Sequence, residues 1–142
     1  MPGDHQLHFL LELTMETNKN VVATDKAPAA IGPYSQGRVS KGLLFTSGQL
    51  PLDPQTGQLC TGSLTDQAHV VFRNLAAIAE AAGTTLAKAV KTTVYLQDIN
   101  DFKEVNTIYG QYFPQPYPAR SAFRVAALPL GARLEVEAVI EV

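Results

Sequence analysis

Apolar residues fall into two distinct periods along the chain. Between about Leu64 and Ala82, Val71, Leu75, Ile78, Ala79 and Ala82 recur at three- and four-residue steps, which predicts a helix with one apolar stripe. Ser63 or Thr65 is placed to cap its start, and Gly83 ends it. Asp101-Phe102-Lys103-Glu104 has capping-box spacing, with Asp101 in the cap position. It opens a second expected helix with Phe102, Val105, Ile108, Tyr109 and Tyr112 on one face, stopped by Pro114, Pro116 and Pro118. From Arg133 to Val142 the period changes to two. Leu134, Val136, Ala138, Ile140 and Val142 point one way, and Arg133, Glu135, Glu137, Val139 and Glu141 the other.

The remaining segments read as strands and turns. Val21 to Thr24, Val90 to Leu96 and Ala119 to Val125 are expected strands. Arg38 to Lys41 and Leu43 to Gln49 flank Lys41-Gly42 as a hairpin. Lys26 to Ser35, with Pro28, Gly32 and Pro33, reads as an ordered extended loop, and Pro51 to Gly62 as turns. The order β-ββ-α-β-α-β-β predicts an α+β fold: a single mixed β-sheet with two helices packed on one face. Two helices leave the other face bare. If the registers agree, Leu43, Phe45 and Val139 lie there, so a second copy of the chain is expected to cover it.

Composition narrows the class. A chain of 142 residues suits one domain and buries a core without staples. Residues 20–142 carry the patterned elements, and residues 1–19 form an N-terminal extension expected to be loosely held. Phe9-Leu10-Leu11 is too short for a membrane helix and lacks the flanks of a signal peptide; Met15 offers an alternative start. The lone Cys60 has no internal partner and fits a reducing, cytoplasmic setting. A net charge of −2 gives no basic excess, so nucleic acid is not the expected partner.

No phosphate loop, dinucleotide fingerprint or nucleophile elbow is present. His5 and His8 share one short segment of the extension, His69 sits at the edge of the first helix, and Cys60 has no flanking base; no metal site or catalytic thiol is expected from them. What remains is a polar set on an apolar framework. Arg120 stands where a proline-stiffened loop becomes a strand, a setting that suits two-point recognition of a carboxylate. If its face is also the Glu135 side, a cation and a carboxylate line one pocket; a structural Arg–Glu ion pair accounts for the same pattern. Tyr34 caps a ligand or packs. Gly48, after Ser47, admits a ligand to the backbone or makes a bulge. Asn106 reaches into a pocket or bonds a neighbouring backbone group.

Ala27 to Gln36, Ser47-Gly48-Gln49, Asn74-Leu75, Asp101-Phe102 with Val105-Asn106, Pro118 to Ser121, Leu128-Pro129 and Glu135 to Ala138 together resemble the reactive-intermediate deaminases, the Rid or YjgF-like family. Their order and spacing carry the likeness, over about Asn20 to Val142. The resemblance implies a chorismate-mutase-like homotrimer with sites between subunits. It implies hydrolysis of 2-imino and enamine acids such as 2-iminobutanoate and 2-iminopropanoate, released by pyridoxal-phosphate enzymes, to 2-keto acids and ammonia, with no cofactor. By motif match, Arg120 binds the carboxylate and Glu135 attends the water, with Tyr34, Ser47, Gly48 and Asn106 lining the pocket. Many members carry cysteine where this chain has Ala122; a backbone carbonyl there still orients water, without a thiol. The alternative function is a non-catalytic module that binds a keto acid or other small carboxylate. Single-strand RNA cleavage, attached to some relatives, fits poorly with net acidity and the lack of a basic, aromatic-lined groove.

Overall fold

The computed structural model describes residues 20–142; the extension, with His5, His8 and Met15, lies outside the described residues. The elements are β1 (Val21–Val22), β2 (Gly37–Ser40), β3 (Leu43–Thr46), α1 (Leu64–Ala81), β4 (Ala89–Leu96), α2 (Phe102–Tyr112), β5 (Ala119–Arg124) and β6 (Leu134–Glu141). Short 3-10 turns occupy Leu86–Lys88, Ile99–Asp101 and Pro129–Gly131. The six strands form one sheet in the order β1-β2-β3-β6-β4-β5. Neighbours are antiparallel except β4 and β5, whose parallel pairing requires a crossover, supplied by α2.

Local chemistry explains most of these elements. Lys41 (φ 51°) and Gly42 (φ 76°) form the two-residue hairpin turn between Ser40 and Leu43, with both central residues left-handed as a twisted hairpin demands. The Ser63 hydroxyl accepts from Asp66 N at 3.2 Å while the Asp66 carboxylate accepts from Ser63 N at 3.1 Å, a closed capping box at the head of α1. Such a cap contributes about 1 kcal/mol.

The expected box at Asp101 does not form. Asp101 has helical backbone angles, because the 3-10 turn runs straight into α2, and an N-cap side chain bonds back only from extended backbone. Its carboxylate instead accepts from Arg133 Nη2 at 3.0 Å and Nε at 3.3 Å, tying α2 to the start of β6. Asp98 caps the 3-10 turn, accepting from Asn100 N at 2.9 Å.

The faces follow the alternation. Leu44, Val94, Leu96, Leu134, Val136 and Ile140 are buried with Val71, Phe72, Leu75 and Ile78 of α1, so the core lies between the helices and one face of the sheet. Each such large side chain contributes about 1.5–3 kcal/mol by leaving water. Val142 departs from its expected row: it lies past the end of β6 and is exposed. On the other face the registers Phe45↔Val139, Tyr95↔Glu135 and Tyr95↔Phe123 line up Phe45, Val139, Tyr95, Glu135 and Phe123, with Phe45 and Phe123 each 46% exposed. Among the described residues no helix is long and apolar enough to cross a membrane.

Candidate active site

Arg120 is the second residue of β5, opposite Thr92 of β4. Thr92 is fully buried on the helix side, so Arg120 also projects to that side, at the sheet edge where α2 overhangs it. Phe102, Asn106 and Tyr109 stand at i, i+4 and i+7 along α2, one stripe aimed at the arginine. Arg120 Nη1 donates to Asn106 Oδ1 at 2.7 Å. The guanidinium carbon lies 4.7 Å from the Tyr109 ring centre and 5.2 Å from that of Phe102. Burial raises the Tyr109 phenol pKa, opposed by its bond to Thr92 and by the Arg120 charge, so the ring stays neutral at ordinary pH. Asn106, Tyr109, Gly110, Tyr117, Pro118 and Arg120 line a cavity of about 460 Å³. Ala122, half-buried, follows two residues on along the same side of β5.

A second cluster gathers Tyr34, Ser47, Gly48 and Glu135. The Tyr34 loop is pinned by Gln36, whose buried amide donates to the carbonyls of Thr24, Ala27 and Pro28 at 3.0, 3.2 and 2.8 Å and accepts from Thr24 N at 2.7 Å. Ser47 is bound to the same loop, through its N–H to the Gln36 carbonyl and its hydroxyl to the Ser35 carbonyl. Tyr34 itself is 53% exposed within one chain. Glu135 lies over Gly48: a Cβ on Gly48 would sit 2.5 Å from Glu135 Oε1 and 2.9 Å from its Cδ. Only glycine permits that approach. Tyr34 and Gly48 also border a groove of about 530 Å³ walled by Pro28, Ile31, Leu50, Leu52 and Leu130.

Glu135 stands near one other acid, Glu137. Burial raises its pKa above the ordinary carboxylate value, and the nearby Glu137 charge raises it further. Glu137 accepts from the Tyr95 hydroxyl at 2.7 Å, and that bond, burial and the two glutamates push the Tyr95 pKa up to about 12.

These clusters do not meet within one chain. Arg120 shares the sheet row Arg120–Thr92–Ala138, and Glu135 stands three residues from Ala138 on the opposite face. That is two strand spacings across and three residues along, roughly 10 Å each way. The condition that Arg120 share the Glu135 side is therefore not met, and the structural ion pair between them does not form. Among the described residues the ion pair present is Arg133–Asp101. Asn106 bonds a side chain rather than the backbone. His69 Nδ1 lies 2.8 Å from the Tyr112 hydroxyl, between the two helices, and Cys60 is a half-buried free thiol.

Sequence reading missed three residues that build these clusters. Tyr109 and Phe102 pass as members of an apolar stripe, and the only signal was Asn106 standing between them. Gln36, directly after Tyr34-Ser35, looks like any loop polar residue until its burial is known.

The family described as Endoribonuclease L-PSP matches residues 24–142. A RutC family protein, y4sK of Sinorhizobium fredii, is 52% identical over 119 residues, 84% of this chain and 94% of that protein. The human 2-iminobutanoate/2-iminopropanoate deaminase is 50% identical over 121 residues, 85% of this chain and 88% of that enzyme. The crystal structure of RidA from an Antarctic Psychrobacter species superposes with a TM-score of 0.82 at 44% identity, covering 86% of this chain and 98% of that one.

Proposed function

This chain belongs to the Rid (YjgF-like) branch of the Endoribonuclease L-PSP family, and from that premise we propose that it hydrolyses small 2-imino acids to 2-keto acids and ammonia. The proposed substrates are 2-iminobutanoate and 2-iminopropanoate, released by pyridoxal-phosphate enzymes. The observation that carries the reading is the placement, in two separate, open clusters, of an arginine that has no carboxylate partner among the described residues and a glutamate with a raised pKa. Each is half of what a zwitterionic imine needs. The proposed assembly is a homotrimer in which the Arg120 cluster of one copy faces the Gly48–Glu135 cluster of the next. The exposed Phe45 and Phe123 on the helix-free face support burial between copies.

The chemistry asks little of the protein. A protonated imine carbon is already electrophilic, so orientation and charge placement suffice. Arg120 grips the carboxylate by charge-assisted hydrogen bonds. Glu135 takes a proton as water forms the new C–O bond and passes it to nitrogen. The C–N bond then breaks as the carbinol O–H proton passes to Glu135, giving the 2-keto acid and ammonia, with one water consumed and no change in oxidation state. A raised pKa suits a group that must both take and return a proton. Ser47, Gly48, Tyr34 and the Ala122 carbonyl shape the pocket and hold water.

The test is competition with semicarbazide while a dehydratase releases the imine. The wild-type chain diverts the imine to 2-ketobutanoate before it is trapped, and Arg120→Ala does not. Keto acid appearing at one rate with and without the wild-type chain overturns the proposal, and tight keto-acid binding without turnover marks a binding module instead.

A further inference from the structure

Among the described residues, the side chains that hold the Arg120 guanidinium are an amide and two aromatic faces, all neutral. A carboxylate in their place would hold the guanidinium more firmly but would occupy the donors and cancel the charge that a ligand carboxylate needs. An aromatic face orients a guanidinium through its quadrupole and leaves the charge in place. The Tyr109 ring is itself immobilised. Its hydroxyl lies 2.8 Å from the buried Thr92 hydroxyl, it stacks on Phe113 at 4.4 Å, and it meets Phe72 edge-on at 5.9 Å. Thr92 is also the residue opposite Arg120 in the sheet. One threonine therefore fixes both the strand position from which the arginine extends and the ring over which it lies.

We propose that Tyr109, locked by Thr92, is a positioning residue that sets the Arg120 guanidinium for a ligand carboxylate without neutralising it. Asn106 completes the support at one guanidinium nitrogen and leaves the others for the ligand. This inference rests on Arg120 being the carboxylate grip of the proposed function.

The experiment measures Kd for 2-ketobutanoate by calorimetry, and KM and kcat for the imine, on full-length wild type, Tyr109→Leu, Tyr109→Phe, Asn106→Asp and Arg120→Ala. Tyr109→Leu removes the aromatic face and is expected to raise Kd and KM about 5- to 30-fold, with kcat less affected. Tyr109→Phe restores the face and is expected to recover binding to within about threefold of wild type. Asn106→Asp sets an anion against Nη1 and is expected to weaken binding about tenfold or more, with no fall in melting temperature. A folded Tyr109→Leu that binds as wild type, while Arg120→Ala does not, overturns the positioning role and leaves the grip standing. Arg120→Ala binding as tightly as wild type overturns both. If Tyr109→Leu does not fold, Asn106→Asp decides, and an unchanged Kd there overturns the inference.

Discussion

Arg120 and Glu135 are supported in opposite ways. Arg120 extends from an edge strand on the helix side of the sheet and rests on neutral rings and an amide, so its charge stays available. Glu135 lies on the helix-free side, half-buried beside a second carboxylate, so its charge is discouraged. Arg133 sharpens the contrast. It stands two residues before Glu135 and is held by Asp101 through several hydrogen bonds, as a structural arginine is. The support around a charged side chain thus separates a cation that fastens the fold, Arg133, from one held only by neutral groups among the described residues, Arg120.

The largest expected effect comes from removing either half. Arg120→Ala forfeits a charge-assisted contact of about 1.5–3 kcal/mol, a 10- to 100-fold loss in kcat/KM, while the protein still folds and assembles. Arg120→Lys recovers little, because an ammonium lacks the planar two-point grip. Steady-state kinetics with size-exclusion profiles check both outcomes, and a wild-type rate from Arg120→Ala would break the comparison at its first term.

Gly48→Ala comes next. The new methyl must displace the Glu135 carboxylate, which is the free end of a flexible side chain. Activity is expected to fall about tenfold while stability changes by less than about 1 kcal/mol, because overpacking is costly chiefly where neighbours are rigid. Gly37→Ala is the control. Its Cβ would press on Leu44, Ile78 and Val22 in the core at 2.9–3.3 Å, with an expected stability loss of about 1–3 kcal/mol. Thermal melts beside initial rates separate the two cases.

Glu137→Gln tests why Glu135 is reluctant to ionise. With that neighbouring charge gone, the Glu135 pKa falls toward its ordinary value, and the acid limb of the pH–rate profile moves to lower pH. The stability sign is opposite to that of a salt-bridged acid. Protonated Glu135 favours the folded state, so its contribution is full below the ordinary carboxylate pKa and is lost as pH rises through the raised one. Glu135→Gln should therefore flatten that part of the pH–stability curve while abolishing turnover. An unmoved acid limb in Glu137→Gln would assign the raised pKa to burial alone.

Smallest of all is Asp101→Ala, expected to cost about 0.5–1 kcal/mol, with non-additivity against Arg133→Ala, because the pair is partly exposed. Equal and additive losses would contradict the pairing.

Much of the fold was legible because period two and period 3.6 are local properties. The Lys41-Gly42 turn, the Ser63 cap and the alternation of β6 each depend on residues within one turn or strand. The failures are non-local. Asp101 carries a cap signature, yet its partner is Arg133, 32 residues away. The residue types of the candidate site were readable one at a time. Their relative placement was not, because whether Arg120 and Glu135 share a face depends on β4 lying between β5 and β6 and on the register of both pairings. The aromatic support of Arg120 was hidden for a related reason: Phe102 and Tyr109 satisfy the helix period whether or not a cation lies over them.

The most direct measurement is complementation between Arg120→Ala and Glu135→Gln, each strongly impaired alone, unfolded together and refolded at equal amounts. If each site takes Arg120 from one copy and Glu135 from the next, random assembly leaves about a quarter of the sites intact, and about a quarter of wild-type activity returns. If both residues served one site within a single chain, the mixture would stay as inactive as its components, and that result would contradict a site shared between copies.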